Sequence, residues 1–234
     1  MALQERAADA AAGIVLEAVS VAREGRTVLD GVSLALAERR IGVVGLNGSG
    51  KSTLLGTMTG IYRPTRGDVV MNGRVSALLD LGAGFHPDLT GLENVYLNAS
   101  ILGLSRREIR GRLDDIIAFA ELERFIDAPI RTYSNGMILR LGFAIATQID
   151  PDILLVDEVI AVGDEAFQQK CYAKVREMQQ AGKTIIFVSH DLQAVRNVAN
   201  RVIWLDSGII RMDNCVDAVL DEYLRTMRDG GSME

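Results

Sequence analysis

The sequence predicts an α/β fold with a mainly parallel sheet, an N-terminal antiparallel β-subdomain and an inserted helical subdomain. Three observations predict it. The glycine-rich stretch Gly45-Leu46-Asn47-Gly48-Ser49-Gly50-Lys51-Ser52 joins an apolar strand candidate at 41–44 to a helical pattern that starts at Lys51. Two more short apolar runs, 153–156 and 184–188, have the character of strands buried in a parallel sheet. Between the first strand region and these runs, residues 90–149 follow a helical pattern.

Taken in order, 14–21 and 28–36 are β-like segments flanking the turn Arg23-Glu24-Gly25-Arg26. The strand at 41–44, its glycine-rich loop and a helix come next, and Arg63-Pro64-Thr65-Arg66-Gly67 makes another turn. Segments 69–71 and 75–81, separated by Asn72-Gly73, are expected to form a hairpin, since Asn-Gly suits a tight two-residue turn. Thr90 with Glu93, and Ser105 with Glu108, have the spacing of capping boxes and start two helices. A third helix, 138–148, follows Ser134, which is a good N-cap. A last helical pattern covers 216–227. With no repeat, heptad run or low-complexity linker, the expectation is one domain over 13–228. Its helical insert spans about 89–149, with flexible tails at 1–12 and 229–234.

Bulk properties narrow the function. The 234 residues are 48% hydrophobic and 24% charged, ordinary for a globular protein with a sizeable core. A net charge of −6 argues against a broad nucleic-acid footprint, so any anion site is local. Cys171 and Cys215 are far apart, without metal-like spacing, and are read as reduced thiols. No apolar run is long enough to cross a bilayer. The alanine-rich start is broken by Glu5, Arg6 and Asp9, so it lacks a signal-peptide core. A cytosolic chain is expected, with any membrane role exercised through a partner.

Four motifs carry chemistry. In 45–52, the glycines let backbone N–H groups turn inward around phosphate oxygens, aided by the positive end of the next helix. Lys51 reaches the β/γ-phosphates and the Ser52 hydroxyl holds Mg²⁺, which gives the core of a phosphate-loop (P-loop) NTPase. The 153–156 strand ends in Asp157-Glu158. Side chains alternate across a strand, so one acid can hold Mg²⁺ while the other orients or activates the attacking water. Ser189-His190-Asp191 follows the 184–188 strand, where an imidazole can bond a γ-phosphate. Tyr133-Ser134-Asn135-Gly136-Met137 opens a helix whose N–H groups can face an anion.

That succession of motifs, covering nearly the whole chain, resembles the ATP-binding-cassette (ABC) ATPases. The resemblance implies an ATPase with ATP and Mg²⁺ as cofactors and a head-to-tail homodimer. ATP is then held by Gly45, Asn47, Gly48, Ser49, Gly50, Lys51, Ser52 and Thr53 of one copy and by Ser134 and Gly136 of the other. It also implies Glu158 as general base, Asp157 as Mg²⁺ partner and His190 at the γ-phosphate, with Lys51 catalytic as well as binding. Asp164 matches the segment that links the two sites.

Three segments are similar to ATPases of bacterial polysaccharide exporters (O-antigen, teichoic acid, capsule, galactan). They are 78–94, the Phe125-Ile126-Asp127 stretch leading to the Tyr-Ser-Asn-Gly-Met signature, and 161–171. That match implies an integral membrane permease as partner, placement on the cytoplasmic face of the cell membrane, substrate contacted mainly by the permease, and no nucleic acid. Competing classes are a soluble ABC ATPase in translation or DNA maintenance, an ABC ATPase for another cargo, and a phosphate-loop kinase of small metabolites.

The chain departs from the family pattern in two places. Arg23 stands where most relatives have an aromatic that stacks on adenine; a guanidinium can also stack on a base, and a surface arginine is the other reading. Apolar Leu81 stands where relatives carry a glutamine. The basic run 105–112 reads first as a solvated helix face, and second as a surface for lipid headgroups or a membrane partner.

Overall fold

The computed structural model describes residues 13–36, 40–78, 82, 84–156, 163–189 and 191–230. The described residues form two sheets, helices packed on them and a helical insert. Strands β1 (Gly13–Arg23), β2 (Arg26–Leu36) and β4 (Arg66–Asn72) form an antiparallel sheet in the order β2-β1-β4. The β1–β2 turn is Glu24-Gly25, with φ of 50° and 77° closing on the Arg23–Arg26 pair. Both central residues being left-handed is the twist-matched geometry for a two-residue hairpin.

The second sheet has the order β5-β6-β7-β3-β8-β9, where β3 is Arg40–Val44, β5 Val75–Leu78, β6 Ile153–Val156, β7 Thr184–Val188, β8 Arg201–Asp206 and β9 Ile209–Asn214. All its pairings are parallel except the edge hairpin β8–β9. Strand β3 lies between β7 and β8, so it is hydrogen-bonded on both sides. The strand interiors are buried on both faces, as their continuous apolar runs require.

Alternation sorts the core into two layers. Ile153 and Leu155 of β6 pack with Ile41, Val43, Ile186 and Ile203, and with Leu54, Leu55 and Met58 of helix α1 (Lys51–Met58), toward the antiparallel sheet. Leu154 and Val156 turn to the other face, with Phe187, Trp204 and residues of α5 (Glu165–Gln180), α6 (Leu192–Val198) and α7 (Val216–Gly230). Trp204 is fully buried and meets Tyr223 of α7 edge-on, ring centroids 5.3 Å apart. Helix α7 runs two residues into the segment expected as a C-terminal tail. Residues 1–12 and 231–234 lie outside the described part.

Between neighbours β5 and β6 the chain makes the helical insert: α2 (Gly91–Ile101), α3 (Arg106–Ala120), a single 3₁₀ turn (Ile130–Thr132) and α4 (Asn135–Gln148). Thr90–Glu93 and Ser105–Glu108 form the two reciprocal capping boxes the spacing predicts. The insert has its own core, including Val95, Ile109, Ile116, Leu141 and Ile145.

One expectation is corrected. Asn72-Gly73 does not make a hairpin, because β4 pairs with β1 while β5 pairs in parallel with β6. The turn carries the chain from one sheet to the other. Its exit is fixed by Asp152, whose carboxylate accepts the Arg74 N–H at 2.9 Å, and by burial of Ser76 and Leu78 beside β6. Tertiary partners chose the pairing; the local turn signal did not.

Candidate functional site

The glycine-rich loop leaves the carboxyl end of β3 and enters α1, the position where open α/β sheets bind ligands. Gly48 and Gly50 have φ of 80° and 104°. A Cβ on Gly50 would come within 3.0 Å of the Val28 carbonyl oxygen, so this residue type is set by both backbone and space. Gly50 is the N-cap of α1 with no side-chain cap, and the first turn holds no acid. Among the described residues, then, no capping side chain and no first-turn acid meets the first N–H groups and positive end of the helix, the condition that suits an anion.

Lys51 is buried, and its Nζ donates to the carbonyl oxygens of Gly45 (2.8 Å) and Leu46 (2.9 Å), spanning the loop mouth. Ser49 is 4% exposed, yet among the described residues its hydroxyl oxygen has no hydrogen-bond partner. A buried orphan hydroxyl is expensive unless a ligand uses it. Ser52 is exposed at the helix start, while Thr53 is buried behind it. Asn47 is exposed at the loop crest. Uncapped amides, a spanning ammonium, an orphan hydroxyl and a free serine together fit a phosphate chain with its cation.

The loop is held from behind by a turn that sequence reasoning missed. Ser207-Gly208 joins β8 to β9 with φ of 49° and 83°. The Gly208 N–H donates to the Ser49 carbonyl at 2.9 Å, and the Gly208 carbonyl accepts from the Asp30 N–H at 2.9 Å. This bridge ties the loop to β2, and only the three-dimensional neighbourhood reveals it.

Arg23 sits at the end of β1 with its guanidinium carbon 4.5 Å from the centroid of the Tyr62 ring. Tyr62 in turn lies against α1, where a Cβ on Gly56 would stand 2.5 Å from the ring. The predicted arginine is therefore backed by an aromatic that the sequence reading did not single out; nothing local marks Tyr62.

Ser134 caps α4, its hydroxyl accepting the Met137 N–H at 3.2 Å, and it is exposed. Nothing crowds Gly136 except that hydroxyl, 3.7 Å from where a Cβ would be. Among the described residues no hydrogen bond joins Ser134 or Gly136 to the glycine-rich loop. Asp157, Glu158, His190 and Leu81 lie outside the described residues. Asp164 caps α5, and its carboxyl is held below the usual range, first by the Phe167 N–H and then by Arg140. No described helix is long and apolar enough to cross a membrane.

Comparison with known proteins agrees with this geometry. The description of the ABC transporter family matches residues 29–161. The chain is 52% identical over 198 residues to the O-antigen export system ATP-binding protein RfbB of Myxococcus xanthus, covering 84% of this chain and 45% of that protein. It is 46% identical over 200 residues to the protein of the same name from Klebsiella pneumoniae, covering 85% and 81%. The chain thus spans under half the length of the first relative and four fifths of the second. Among solved structures, it superposes with a TM-score of 0.72 on a dimeric ATP-binding cassette bound to ADP and Pi in a post-hydrolysis state. The two are 25% identical, with coverage of 87% and 98%. The chain belongs to the ABC transporter family and carries its ATPase fold.

Proposed function

We propose that this chain powers export of a lipid-linked polysaccharide through a membrane permease, closing as a head-to-tail homodimer on ATP. The relatives named above for O-antigen export support the cargo class. The observation that carries the mechanism is that its two half-sites are unjoined: a complete phosphate loop at the end of β3, and a Ser134–Gly136 helix start, Ser134 exposed, which among the described residues shares no hydrogen bond with it. A second copy supplies the missing half. The triphosphate then bridges both protomers, and loss of the γ-phosphate removes what Ser134 reads.

In this reading the α1 amides and Lys51 bind the β/γ-phosphates, and the Ser49 hydroxyl gains the partner it lacks. Ser52 and Asp157 would hold Mg²⁺, which would supply positive charge against the phosphate oxygens. Glu158 takes a proton from the attacking water, and His190 bonds the γ-phosphate. Tyr62 holds one face of the Arg23 guanidinium and leaves the other for adenine. The chain reaches the cytoplasmic face of the membrane through its permease, which makes most contact with the glycan.

Four experiments test this. Glu158→Gln is expected to bind ATP and accumulate as an ATP-bound dimer with turnover nearly abolished; ordinary steady-state hydrolysis sinks the base assignment. Ser134→Arg should also abolish hydrolysis measured without an acceptor, whereas a small-metabolite kinase would be indifferent to it. For the cargo, depletion of the chain should trap a lipid-linked glycan inside cells, and a multi-span membrane protein should co-purify with it. Co-purification with ribosomes or DNA instead rejects the export role.

A further inference from the structure

The joint between the helical insert and the core is built from rings and charges on three helices. Phe119 of α3, Phe143 of α4 and Phe167 of α5 form a cluster, with centroids 5.7 to 6.5 Å apart. Two cations cover it. The Arg140 guanidinium lies 4.7 Å from the Phe167 centroid, and Lys170 Nζ lies 4.8 Å from that of Phe119. The same cations make the ionic links. Arg140 of α4 donates to Asp164 of the core at 2.7 Å and to Glu121 of the insert at 3.1 Å. Lys170 of the core reaches back to Glu121 at 3.0 Å and to the Phe119 carbonyl at 2.8 Å.

Asp164, Arg140, Glu121 and Lys170 thus form a chain of alternating charge that starts in the core, passes through the insert and returns. Space is tight around it: a Cβ on Gly163 would stand 3.1 Å from Arg140 Nε. The acids are more than half exposed, and exposed pairs of this kind contribute little to stability. Phe143 and Phe167, both fully buried, supply the cohesion. What the arginine adds is direction, because its planar fork fixes two partners at once.

Resting on the head-to-tail reading of the site, we propose that Arg140 is a positioning residue that sets the angle of α4 against the core. It thereby aims Ser134, at the start of the same helix, into the partner's phosphate site. Arg140 touches no nucleotide. It lies between one and two helical turns from Ser134 along α4, so a rotation of the helix about the ring cluster moves the Ser134 end directly. Weak, exposed links beside a firm apolar pivot make a joint that can be re-set without unfolding.

The test compares two readouts in the Glu158→Gln background: binding of a fluorescent ATP analogue to the dilute monomer, and ATP-driven dimerisation by light scattering. Arg140→Gln should leave monomer binding within about twofold and weaken dimerisation about tenfold or more. Arg140→Lys, keeping charge without the fork, should fall between. Asp164→Asn retains a good N-cap and removes the charge; combined with Arg140→Gln it should cost less than the sum of the two single changes. Unchanged dimerisation in Arg140→Gln overturns the proposal. So does loss of monomer binding in both Arg140 variants, which would make the residue a support of the fold. Ser134→Arg runs alongside: if that variant still dimerises on ATP, the head-to-tail reading fails and not the clamp alone.

Discussion

Gly208→Ala should weaken the phosphate loop from outside it. The Gly208 N–H holds the Ser49 carbonyl, and its φ of 83° is left-handed. A Cβ there would sit 2.3 Å from the Val28 carbonyl oxygen and 2.9 Å from its carbon, both backbone atoms that no rotamer can move. Two costs add: about 1–2 kcal/mol for an L-residue in left-handed backbone, and about 1–3 kcal/mol for forcing an extra group into a packed site. Gly103, in the α2–α3 turn, is the control, with φ of 89° and nothing within 4 Å of its Cβ position. Gly103→Ala carries the first cost alone. Urea unfolding without nucleotide should place Gly208→Ala about 2–5 kcal/mol below wild type and Gly103→Ala about 1–2 kcal/mol below. Titration with a fluorescent ATP analogue should then show affinity lower by about tenfold or more in Gly208→Ala and unchanged in Gly103→Ala. Equal destabilisation of the two variants, or full nucleotide affinity in Gly208→Ala, refutes the bridge as a support of the loop.

Other outcomes follow from the same geometry. Lys51→Ala removes charged hydrogen bonds worth about 1.5–3 kcal/mol each and should lower ATP affinity at least about tenfold in equilibrium binding. Arg23→Ala and Tyr62→Ala should each reduce ATP affinity by about 0.5–1 kcal/mol, and the double variant should lose no more than the worse single one, if the two act as one stack; additive losses separate them. Burial pushes the Cys171 thiol up to about 12, so iodoacetamide near pH 8 should label exposed Cys215 in the folded protein and Cys171 only after denaturation. Asp150 is held below its ordinary 3.8, first by its hydrogen bond from Lys183. That contribution to stability is fully present above 3.8 and is lost as pH falls through the lower folded-state value. Lys183→Met should therefore lower the thermal midpoint at neutral pH, with the difference from wild type closing below that window.

Signals carried by a few adjacent residues were legible in the sequence. The glycine-rich loop, the Glu24-Gly25 turn, the capping boxes at Thr90 and Ser105 and the Ser134 cap depend on local backbone geometry, and each forms where the residues put it. Features that depend on partners distant in the chain were not legible. Asn72-Gly73 has the chemistry of a hairpin turn, yet Asp152 and strand β6 draw the following strand into another sheet. Gly208 supports a loop about 160 residues earlier, a contact no pattern of turns announces. Tyr62 beneath Arg23, and Arg140 between Glu121 and Asp164, likewise gain meaning only when separate elements meet.

A mixing experiment bears most directly on the composite site. In the Glu158→Gln background, one protomer carries Lys51→Ala and the other Ser134→Arg, so neither variant alone can build a complete site. If each site takes its loop from one copy and its Ser134 from the other, the mixed dimer contains one intact site and one doubly broken one. The expected result is ATP-dependent association on mixing, with one ATP tightly retained per mixed dimer and none by either variant alone. Failure of the mixture to associate or retain ATP, while the parent Glu158→Gln protein does both, contradicts the head-to-tail account.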